Sequence, residues 1–434
     1  MNKQILRLAI PNIISNLSVP LLSSVDTALL GHLDKISYLG ALAVGSVIFN
    51  FVYWGFGFLR MGTTGLTAQA YGNENQQEVK LILIRTLLFA LAGGLLLILS
   101  QEIIAVVSFK LIDASQDVQK YGLEYFYIRI YAAPATLALY AFHGWFLGMQ
   151  NAKYPLILTV VVNVINIFFD FLFIYRFHMT ADGVALGTVI AQYGGLLLAT
   201  ILFLKKYTTL DLRKNRSHIF NITAVKRLFK VNSDIFIRTL CLIFALSYFT
   251  AKSAQWGDEI LAANTILMQL IIILAYGIDG FAFSSESLVG KYFGAADRPN
   301  LKKTIRFSFY WGIGMGVCIS LIYFLFSTHI LRIFTDQENV VQLAMNYFSW
   351  VIIAPLINGF CFIWDGVFIG ATATKAMRNS MIFCTFLIYL PVYFALHQTL
   401  GNHALWLALT VFMIMRGVTL TIYSRKYIYQ AIPA

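Results

Sequence analysis

The sequence predicts an all-α membrane protein with twelve transmembrane helices, arranged as two pseudo-symmetric six-helix lobes. Composition is the first reason. Hydrophobic residues make up 59% of the 434-residue chain and charged residues only 12%, about half the charged share of an ordinary soluble domain. A soluble protein of this composition could not cover its surface with polar groups. The composition therefore excludes a soluble enzyme, a nucleic-acid-binding domain and a disordered chain, and we expect no nucleic acid among the partners.

Long apolar stretches, separated by charged residues or by glycine and asparagine, are the second reason. A bilayer crossing takes about 20 residues, and the longer stretches favour tilted or bent helices. The predicted spans cover residues 8–31, 38–70, 81–109, 121–149, 155–176, 183–204, 229–256, 260–292, 303–328, 340–370, 379–398 and 403–424. Because their number is even, both termini are expected on the same side of the membrane.

Basic residues indicate which side that is. Most loops on the side of the termini carry Lys or Arg, and the long connection between spans six and seven carries Lys205, Lys206, Arg213 and Lys214. Cytoplasmic loops are enriched in Lys and Arg, so both termini are predicted to be cytoplasmic. The formal net charge of +12 is then explained by these loops.

The same connection divides the chain into two similar halves. We predict an N-terminal lobe at 1–204, a basic cytoplasmic linker at 205–228 and a C-terminal lobe at 229–434. Six spans per half mean that both halves cross the membrane in the same direction. Parallel repeats of this kind, enclosing a site at the membrane midplane, are a known plan for transporters.

Matched residues support the repeat. The Ala-Tyr-Gly sequence at 70–72 aligns with Tyr-Phe-Gly at 292–294, and the Gly-xxx-Gly pair at 144–148 aligns with the pair at 366–370. Chance alignment of apolar helices is the alternative, and the matched glycines count against it.

Ionisable residues at membrane depth are the candidate functional residues, because a charge at the bilayer centre is costly. Asp26 lies in the first span. Pro20 precedes it in the same span and should bend the helix, which would free backbone carbonyl groups near the acid. Pro134 and Pro355, which align in the two halves, are predicted to bend their helices as well.

Span five places Asn163, Asn166 and Asp170 on one helix face, because their spacing follows the helical repeat. Thr188 in span six adds a hydroxyl group. Together with Asp26 these residues offer hard oxygen ligands, which could hold either protons or a Na⁺ ion. Removal from water favours the neutral form of a carboxyl group, so such an acid can exchange protons near neutral pH.

The alternative for these two carboxyl groups is structural. Each could pair with a buried arginine and simply hold helices together. The arginines available for such pairs are Arg60, Arg129, Arg238 and Arg416.

The second half carries different acids. Asp279 and Glu286 share a face of span eight, and Asp365 lies in span ten. They do not align with the acids of the first half, so the chemistry of the two halves has diverged. The three acids could form a second ion site or a site for a cationic substrate, or they could form an ion-pair network with Arg238.

Six stretches are characteristic as a set, although each alone would be weak. They are residues 25–33 (Val-Asp-Thr-Ala-Leu-Leu-Gly-His-Leu), 66–72 (Leu-Thr-Ala-Gln-Ala-Tyr-Gly), 148–153 (Gly-Met-Gln-Asn-Ala-Lys), 183–188 (Gly-Val-Ala-Leu-Gly-Thr), 364–375 (Trp-Asp-Gly-Val-Phe-Ile-Gly-Ala-Thr-Ala-Thr-Lys) and 377–381 (Met-Arg-Asn-Ser-Met). As a set they resemble the multidrug and toxic compound extrusion (MATE) transporters, and more closely their DinF-type branch. The resemblance covers essentially the whole chain.

The resemblance implies two lobes around a central cleft that opens alternately to each side of the membrane. It implies export of small amphipathic, usually cationic, organic compounds, driven by inward flow of H⁺ or Na⁺ and without a cofactor. The family's coupling residues match Asp26, Asn166, Asp170 and Thr188, and the DinF-type likeness favours H⁺. It also implies a monomer among the lipids of the bacterial cytoplasmic membrane. Where the family often has Arg in span four, this chain has His143, which puts a basic group there in doubt.

Three other functions fit less well. A lipid-linked oligosaccharide flippase shares a related architecture, but its cavity should be basic for phosphate groups, whereas the excess at membrane depth here is acidic. An intramembrane enzyme would need a nucleophile beside a base, and no histidine is placed to activate Ser284 or Ser285. A passive channel would not need a two-lobe repeat that is suited to rocking.

Overall fold

The computed structural model describes residues 1–31, 33, 35–112, 114–207 and 216–432. Within these ranges the chain is helical almost throughout and contains no β-strand. His32 of the first characteristic stretch, and Arg213 and Lys214 of the predicted linker, lie outside the described residues.

The described residues form fifteen helices, several of them longer than a perpendicular bilayer crossing needs. They are α1 (Asn2–Gly31), α2 (Ile36–Gly72), α3 (Gln76–Leu99), α4 (Gln101–Leu111), α5 (Gln116–Arg129), α6 (Ala133–Gly148), α7 (Lys153–Arg176), α8 (Ala181–Tyr207), α9 (Arg216–Ile219), α10 (Ile222–Ala254), α11 (Asp258–Gly294), α12 (Arg298–Phe334), α13 (Glu338–Gly370), α14 (Thr374–Leu400) and α15 (Asn402–Tyr429).

Eleven helices of the described chain are long and apolar enough to cross a membrane. The remaining predicted span, 121–149, consists of α5 and α6, which are joined by a 3₁₀ turn at Ile130–Ala132. Pro134 lies in the first turn of α6, where its missing N–H costs no helical hydrogen bond. The prediction of an all-α membrane protein with twelve transmembrane helices is therefore confirmed.

The helices differ from the predicted spans at several points. A turn at Phe56 and Gly57 interrupts the second span, within α2. The third span is interrupted, because α3 ends at Leu99 and Ser100 separates it from α4. Helix α10 begins at Ile222, inside the predicted linker, and the short helix α9 lies there as well. The first turns of α10 carry several basic residues, so their composition resembles that of a loop although they are helical.

The repeat is visible in the backbone of matched loops. Glu74 follows α2 with a φ of 54°, and Ala296 follows α11 with a φ of 53°. After α6 and α13, Gln150 and Thr372 have φ values of 61° and 51°. A non-glycine residue with positive φ is uncommon, so its recurrence at aligned positions supports a structural repeat.

Matched glycines bring helices into backbone contact in each half. In the first half, a Cβ atom added at Gly144 would overlap the carbonyl oxygen of Arg60. In the second half, one added at Gly366 would overlap the carbonyl oxygen of Ala282. Helix α6 therefore packs against α2 in the same way that α13 packs against α11, and neither contact leaves room for a side chain.

Gly366→Ala is expected to lower the unfolding temperature of the purified protein. A Gly→Ala change inside a helix normally stabilises it by up to about 1 kcal/mol, but overpacking against a backbone costs about 1–3 kcal/mol. Gly314→Ala is the matched control, because no described atom lies within 4 Å of a Cβ at Gly314. Thermal unfolding in detergent measures both variants. An unfolding temperature for Gly366→Ala at or above that of Gly314→Ala would contradict the contact.

The described helices form two compact units. The N-unit comprises Ile14–Thr67 and Asn75–Phe229, and the C-unit comprises Met1–Ile13, Ala68–Glu74 and Lys230–Ala434. Each unit has its own apolar core. Helices α1 and α2 contribute to both units, because the first turns of α1 and the last turn of α2 belong to the C-unit.

Within the C-unit, the end of α2 crosses the end of α11 in direct backbone contact. A Cβ at Gly72 would overlap the carbonyl oxygen of Lys291, and one at Gly294 would overlap that of Gln69. The Gln69 side chain also donates a hydrogen bond to the carbonyl oxygen of Gly370 (Nε2–O 2.9 Å). The aligned glycines therefore make reciprocal contacts: Gly72 of α2 packs against α11, and Gly294 of α11 packs against α2.

Candidate functional site

The N-unit joins three of the predicted coupling residues by hydrogen bonds. Asn166 donates from Nδ2 to Asp170 Oδ1 at 3.2 Å, and its amide also lies 3.5 Å from Thr188 Oγ1. Asp170 is fully buried. A Cβ at Gly187 on α8 would overlap Asp170 Oδ1, so this glycine makes room for the carboxyl group. The amide of Asn166 thus links α7 to α8 beside a buried acid.

Helix α1 brings the fourth residue, Asp26, to this group. The Asp26 and Asp170 carboxyl groups lie close enough together for their side chains to interact. One oxygen of each group has no hydrogen-bond partner among the described residues. A carboxylate can only accept hydrogen bonds, so a bond between two carboxyl groups requires one of them to carry a proton. Direct contact between these two carboxyl groups therefore requires one proton.

Asn163 and Pro20 act on α1 rather than on the carboxyl pair. Asn163 donates from Nδ2 to the carbonyl oxygen of Ser18 at 3.3 Å, which ties α7 to α1 close to Pro20. Helix α1 continues through Pro20, and α13 continues through Pro355. The bending expected from these prolines stays a prediction.

A cation lies close to the two acids of the N-unit. The Arg129 guanidinium on α5 interacts electrostatically with both carboxyl groups. It donates a hydrogen bond to the Tyr125 hydroxyl and lies over the rings of Phe49 and Tyr125, at 4.8 Å and 5.3 Å from their centroids. The N-unit therefore combines two acids, one amide, one hydroxyl and one arginine in a single polar group.

The C-unit arranges its charges differently. The Asp365 carboxylate accepts at Oδ2 from Arg238 Nη2 and from Arg416 Nη2, the latter at 2.6 Å. Arg416 is 1% exposed and Asp365 is 6% exposed. Two buried guanidinium groups therefore clamp one buried carboxylate. Asp365 and Arg238 belong to the ion-pair network that the sequence left open, and Arg416 is an added partner, whereas the part of Asp279 and Glu286 in such a network stays a prediction.

The other two acids that the sequence singles out in the C-unit, Asp279 and Glu286, both lie on α11. Glu286 is buried, and its backbone carbonyl oxygen lies against Gly370 of α13. Asp279 interacts electrostatically with Tyr276, one helical turn earlier. The Arg238–Asp365–Arg416 group is held by three other elements, α10, α13 and α15.

Comparison with known proteins decides the family. The family model MatE matches residues 11–172 and 236–394, which is most of the chain. The chain belongs to the MATE family. It is an integral membrane transporter and not an enzyme, as the sequence predicts.

Two relatives illustrate how widely this MATE transporter is matched. It is 39% identical to DNA damage-inducible protein F of Escherichia coli (strain K12) over 434 aligned residues, covering 98% of this chain and 92% of the relative. It is 26% identical to Multidrug and toxin extrusion protein 1 of Homo sapiens, covering 96% of this chain and 73% of the relative. The E. coli match confirms the likeness to the DinF-type branch.

Solved structures show the same fold. The Vibrio cholerae MATE transporter VcmN in its bent form superimposes with a TM-score of 0.87, covering 99% of this chain and 97% of that one at 20% identity. A multidrug resistance MATE family transporter in an outward-facing conformation gives a TM-score of 0.88 at 19% identity, covering 100% and 97%. These similarities support the twelve-helix architecture of the MATE transporter described here.

Sequence reasoning missed the role of Arg129 and its aromatic neighbours. The sequence marks Arg129 only as one of four arginines that could pair with an acid, and it marks neither Tyr53 nor Tyr125. Asp26 is singled out because a charge at membrane depth is costly and marks a candidate functional residue. The same argument applies to Arg129. Tyr125 lies one turn before Arg129 on α5, so helical spacing could have placed it on the same face. Tyr53 carries no such signal, because only the packing of α2 against α5 brings it beside the guanidinium.

Proposed function

We propose that this transporter exports small amphipathic, cationic organic compounds in exchange for protons that enter the cell. The observation that carries the proposal is the Asp26–Asp170 carboxyl pair, which lies within helices long enough to span the membrane. Similarity to a human relative named for multidrug and toxin extrusion supports the substrate class. The acidic excess of the N-unit group suits a cationic substrate.

The mechanism is antiport by alternating access. In the outward-open state the Asp26–Asp170 pair takes up a proton, which removes the negative charge that holds the cationic substrate. The substrate then leaves outward, and neutral Asp26 allows α1 to shift. Release of the proton to the cytoplasm restores affinity for the next substrate. Coupling of this kind requires proton and substrate to bind the two states with different affinity.

Protons are favoured over Na⁺ because two carboxylates in contact repel one another unless a proton lies between them. Na⁺ is the alternative ion, held by Asp26, Asp170, Asn166 and Thr188. Among the described residues no group of three or more His, Cys, Asp or Glu side chains could hold a metal ion. A Na⁺ site would therefore need the oxygens of Asn166 and Thr188 in addition to the two carboxyl groups.

The proposal includes a topology. We place both termini in the cytoplasm and the chain in the bacterial cytoplasmic membrane, as a monomer in contact with lipid. The predicted lobes at 1–204 and 229–434, joined by the basic linker at 205–228, are the two bodies that rock about the central cleft. The distribution of Lys and Arg between the loops supports this orientation.

A lipid-linked oligosaccharide flippase remains the second candidate, and one observation favours it. The Arg238–Asp365–Arg416 group contains one more cation than anion, and phosphate groups are bound by arginines. The N-unit group counts against this function, because its two acids outnumber Arg129 and, once deprotonated, the group would repel a phosphate-bearing lipid.

Transport driven by separate ion gradients tests the proposal. Purified wild-type protein is reconstituted in liposomes loaded with ethidium, an aromatic cation, and a pH gradient and a Na⁺ gradient are imposed separately. We expect the pH gradient to drive ethidium release and the Na⁺ gradient to leave it at the level of protein-free liposomes. Release driven only by Na⁺ would reassign the ion. If neither gradient moves ethidium, drug export is wrong and the flippase becomes the leading candidate.

A further inference from the structure

We propose that Arg129 sets the charge of the Asp26–Asp170 pair so that the N-unit site can reject a cationic substrate as well as attract one. This role rests on the proposed proton-coupled export. It makes Arg129 a positioning and charge-setting residue rather than a ligand of the transported ion.

The position of the Arg129 guanidinium is held by its neighbours. Tyr125 accepts a hydrogen bond from Nη1, and the rings of Phe49 and Tyr125 lie beneath the cation. Both rings are buried, and Phe49 is stacked on Phe126 with ring centroids 5.3 Å apart. A planar cation over fixed aromatic faces keeps its place without an anion in contact with it.

Arg129 acts on Asp26 and Asp170 without forming a salt bridge with either of them. Among the described residues, neither Asp26 nor Asp170 approaches Arg129 within the 4.0 Å of a salt bridge. Arg129 Nε and Asp26 Oδ1 are both buried without a hydrogen-bond partner there. The C-unit is the opposite case, because Asp365 is clamped directly by two arginines. The acids of the N-unit therefore remain able to gain and lose protons, while the field of Arg129 still acts on them.

Counting charges shows what this cation does. With one shared proton the two carboxyl groups carry one negative charge, which Arg129 balances, so the group is neutral. Loss of that proton leaves the group negative, and it attracts a cation. Gain of a second proton leaves the group positive, and it repels a cation. Without Arg129 the group would be negative or neutral in every protonation state, and it would never expel a cation by repulsion.

The other titratable groups around Arg129 do not change the net charge counted for Asp26, Asp170 and Arg129. Tyr53 on α2 and Tyr140 on α6 interact electrostatically with Arg129, as does Tyr125 on α5. Tyrosine hydroxyl groups are neutral at physiological pH. Arg60 on α2 interacts with Tyr140 and His143, whereas the interactions of the two acids involve Arg129. Asn166 and Thr188, on α7 and α8, do not titrate.

Substitution of Arg129 tests the proposal in proteoliposomes and in detergent. Ethidium export driven by a pH gradient is measured across a range of pH for wild type, Arg129→Gln and Arg129→Lys. Equilibrium binding of ethidium to the same purified proteins is measured at low ionic strength. Arg332→Gln is the control, because Arg332 is exposed and, in the described part of the chain, forms its salt bridge with the exposed Glu338.

We expect three results for Arg129→Gln. Its export profile shifts toward alkaline pH, because the carboxyl pair keeps its protons more tightly without a neighbouring cation. Ethidium binds on the order of tenfold more tightly at alkaline pH, since a like charge has been removed from a partly desolvated site. Maximal export is slower, because the substrate is no longer repelled. Arg129→Lys keeps the charge and stays close to wild type in profile and binding.

The outcomes separate this proposal from the proposed function. If wild type shows no export driven by pH, proton-coupled export itself fails. If wild type is driven by pH and a folded Arg129→Gln variant shows an unmoved pH profile and unchanged ethidium affinity, the Arg129 proposal alone is wrong and the residue is structural. Should Arg129→Gln fail to fold, Arg129→Met is the second neutral variant, since its apolar side chain suits the ring cluster of Phe49 and Tyr125.

Discussion

Asp26→Asn is expected to reduce pH-driven ethidium export to the level of protein-free liposomes while the protein stays folded. The amide has the shape of the acid and can still form a hydrogen bond with Asp170, so α1 should keep its place. Asn cannot release or bind a proton at neutral pH. Asp170 beside Arg129 then leaves the group neutral or positive and never negative, so the group no longer attracts the cationic substrate that it should exchange for a proton. Export from proteoliposomes measures the effect, and size-exclusion profile and unfolding temperature report the fold.

The control for Asp26→Asn is the same chemical change at an exposed position. Asp117 lies in the first turn of α5, is exposed, and also belongs to the N-unit. Asp117→Asn should export ethidium at the wild-type rate. A folded Asp26→Asn variant with wild-type export would show that this acid does not couple transport to protons.

Asp365→Asn is expected to have the largest effect on stability. The neutral amide leaves the buried Arg238 and Arg416 guanidinium groups without their anion, and removal of one partner from a buried ion-pair group costs about 3–5 kcal/mol. The unfolding temperature in detergent measures the loss. Glu338→Gln is the matched control, because its salt bridge to Arg332 is 3.2 Å long and both side chains are more than half exposed. Such surface pairs contribute little to the free energy of unfolding.

A rescue experiment separates the two roles that the sequence left open for Asp365. The combined variant Asp365→Leu, Arg238→Leu and Arg416→Met removes all three charges together, which should restore most of the stability lost in Asp365→Asn. If the rescued protein exports ethidium normally, the three residues form a structural network. Loss of export in the stable combined variant would instead place them in a substrate site. An Asp365→Asn variant as stable as wild type would contradict the ion-pair account altogether.

The fold was largely predictable because hydropathy dominates at membrane depth. The apolar length of each stretch is enough to predict a span without knowledge of the tertiary structure. This holds even for the fourth span, which a 3₁₀ turn divides before Pro134. The start of α10 was missed because Lys226, Arg227 and Lys230 give a helical segment the composition of a loop. The interruption at Ser100 was missed because hydropathy reports burial in lipid and not helix continuity.

The candidate site was predictable where one helix supplies its parts. Asn166 and Asp170 are one turn apart on α7, so the spacing alone predicts that they share a face, and their side chains are hydrogen-bonded. Contacts that depend on two helices were beyond the sequence. The place of Arg129 over Phe49 and the clamp of Arg416 on Asp365 follow from helix packing. Matched glycines pointed to close helix contacts, but the opposing residues Arg60 and Ala282 emerge only from the structure.

Proton release on substrate binding tests the central claim most directly, because it needs neither a membrane nor a gradient. Ethidium is added to the purified protein in weakly buffered detergent solution, and a pH indicator follows the protons released. If the Asp26–Asp170 pair exchanges its proton for a cationic substrate, wild type and Asp117→Asn release protons on binding ethidium, and Asp26→Asn releases none. Equal proton release from Asp26→Asn and wild type would contradict the account, because another group would then be the one that exchanges.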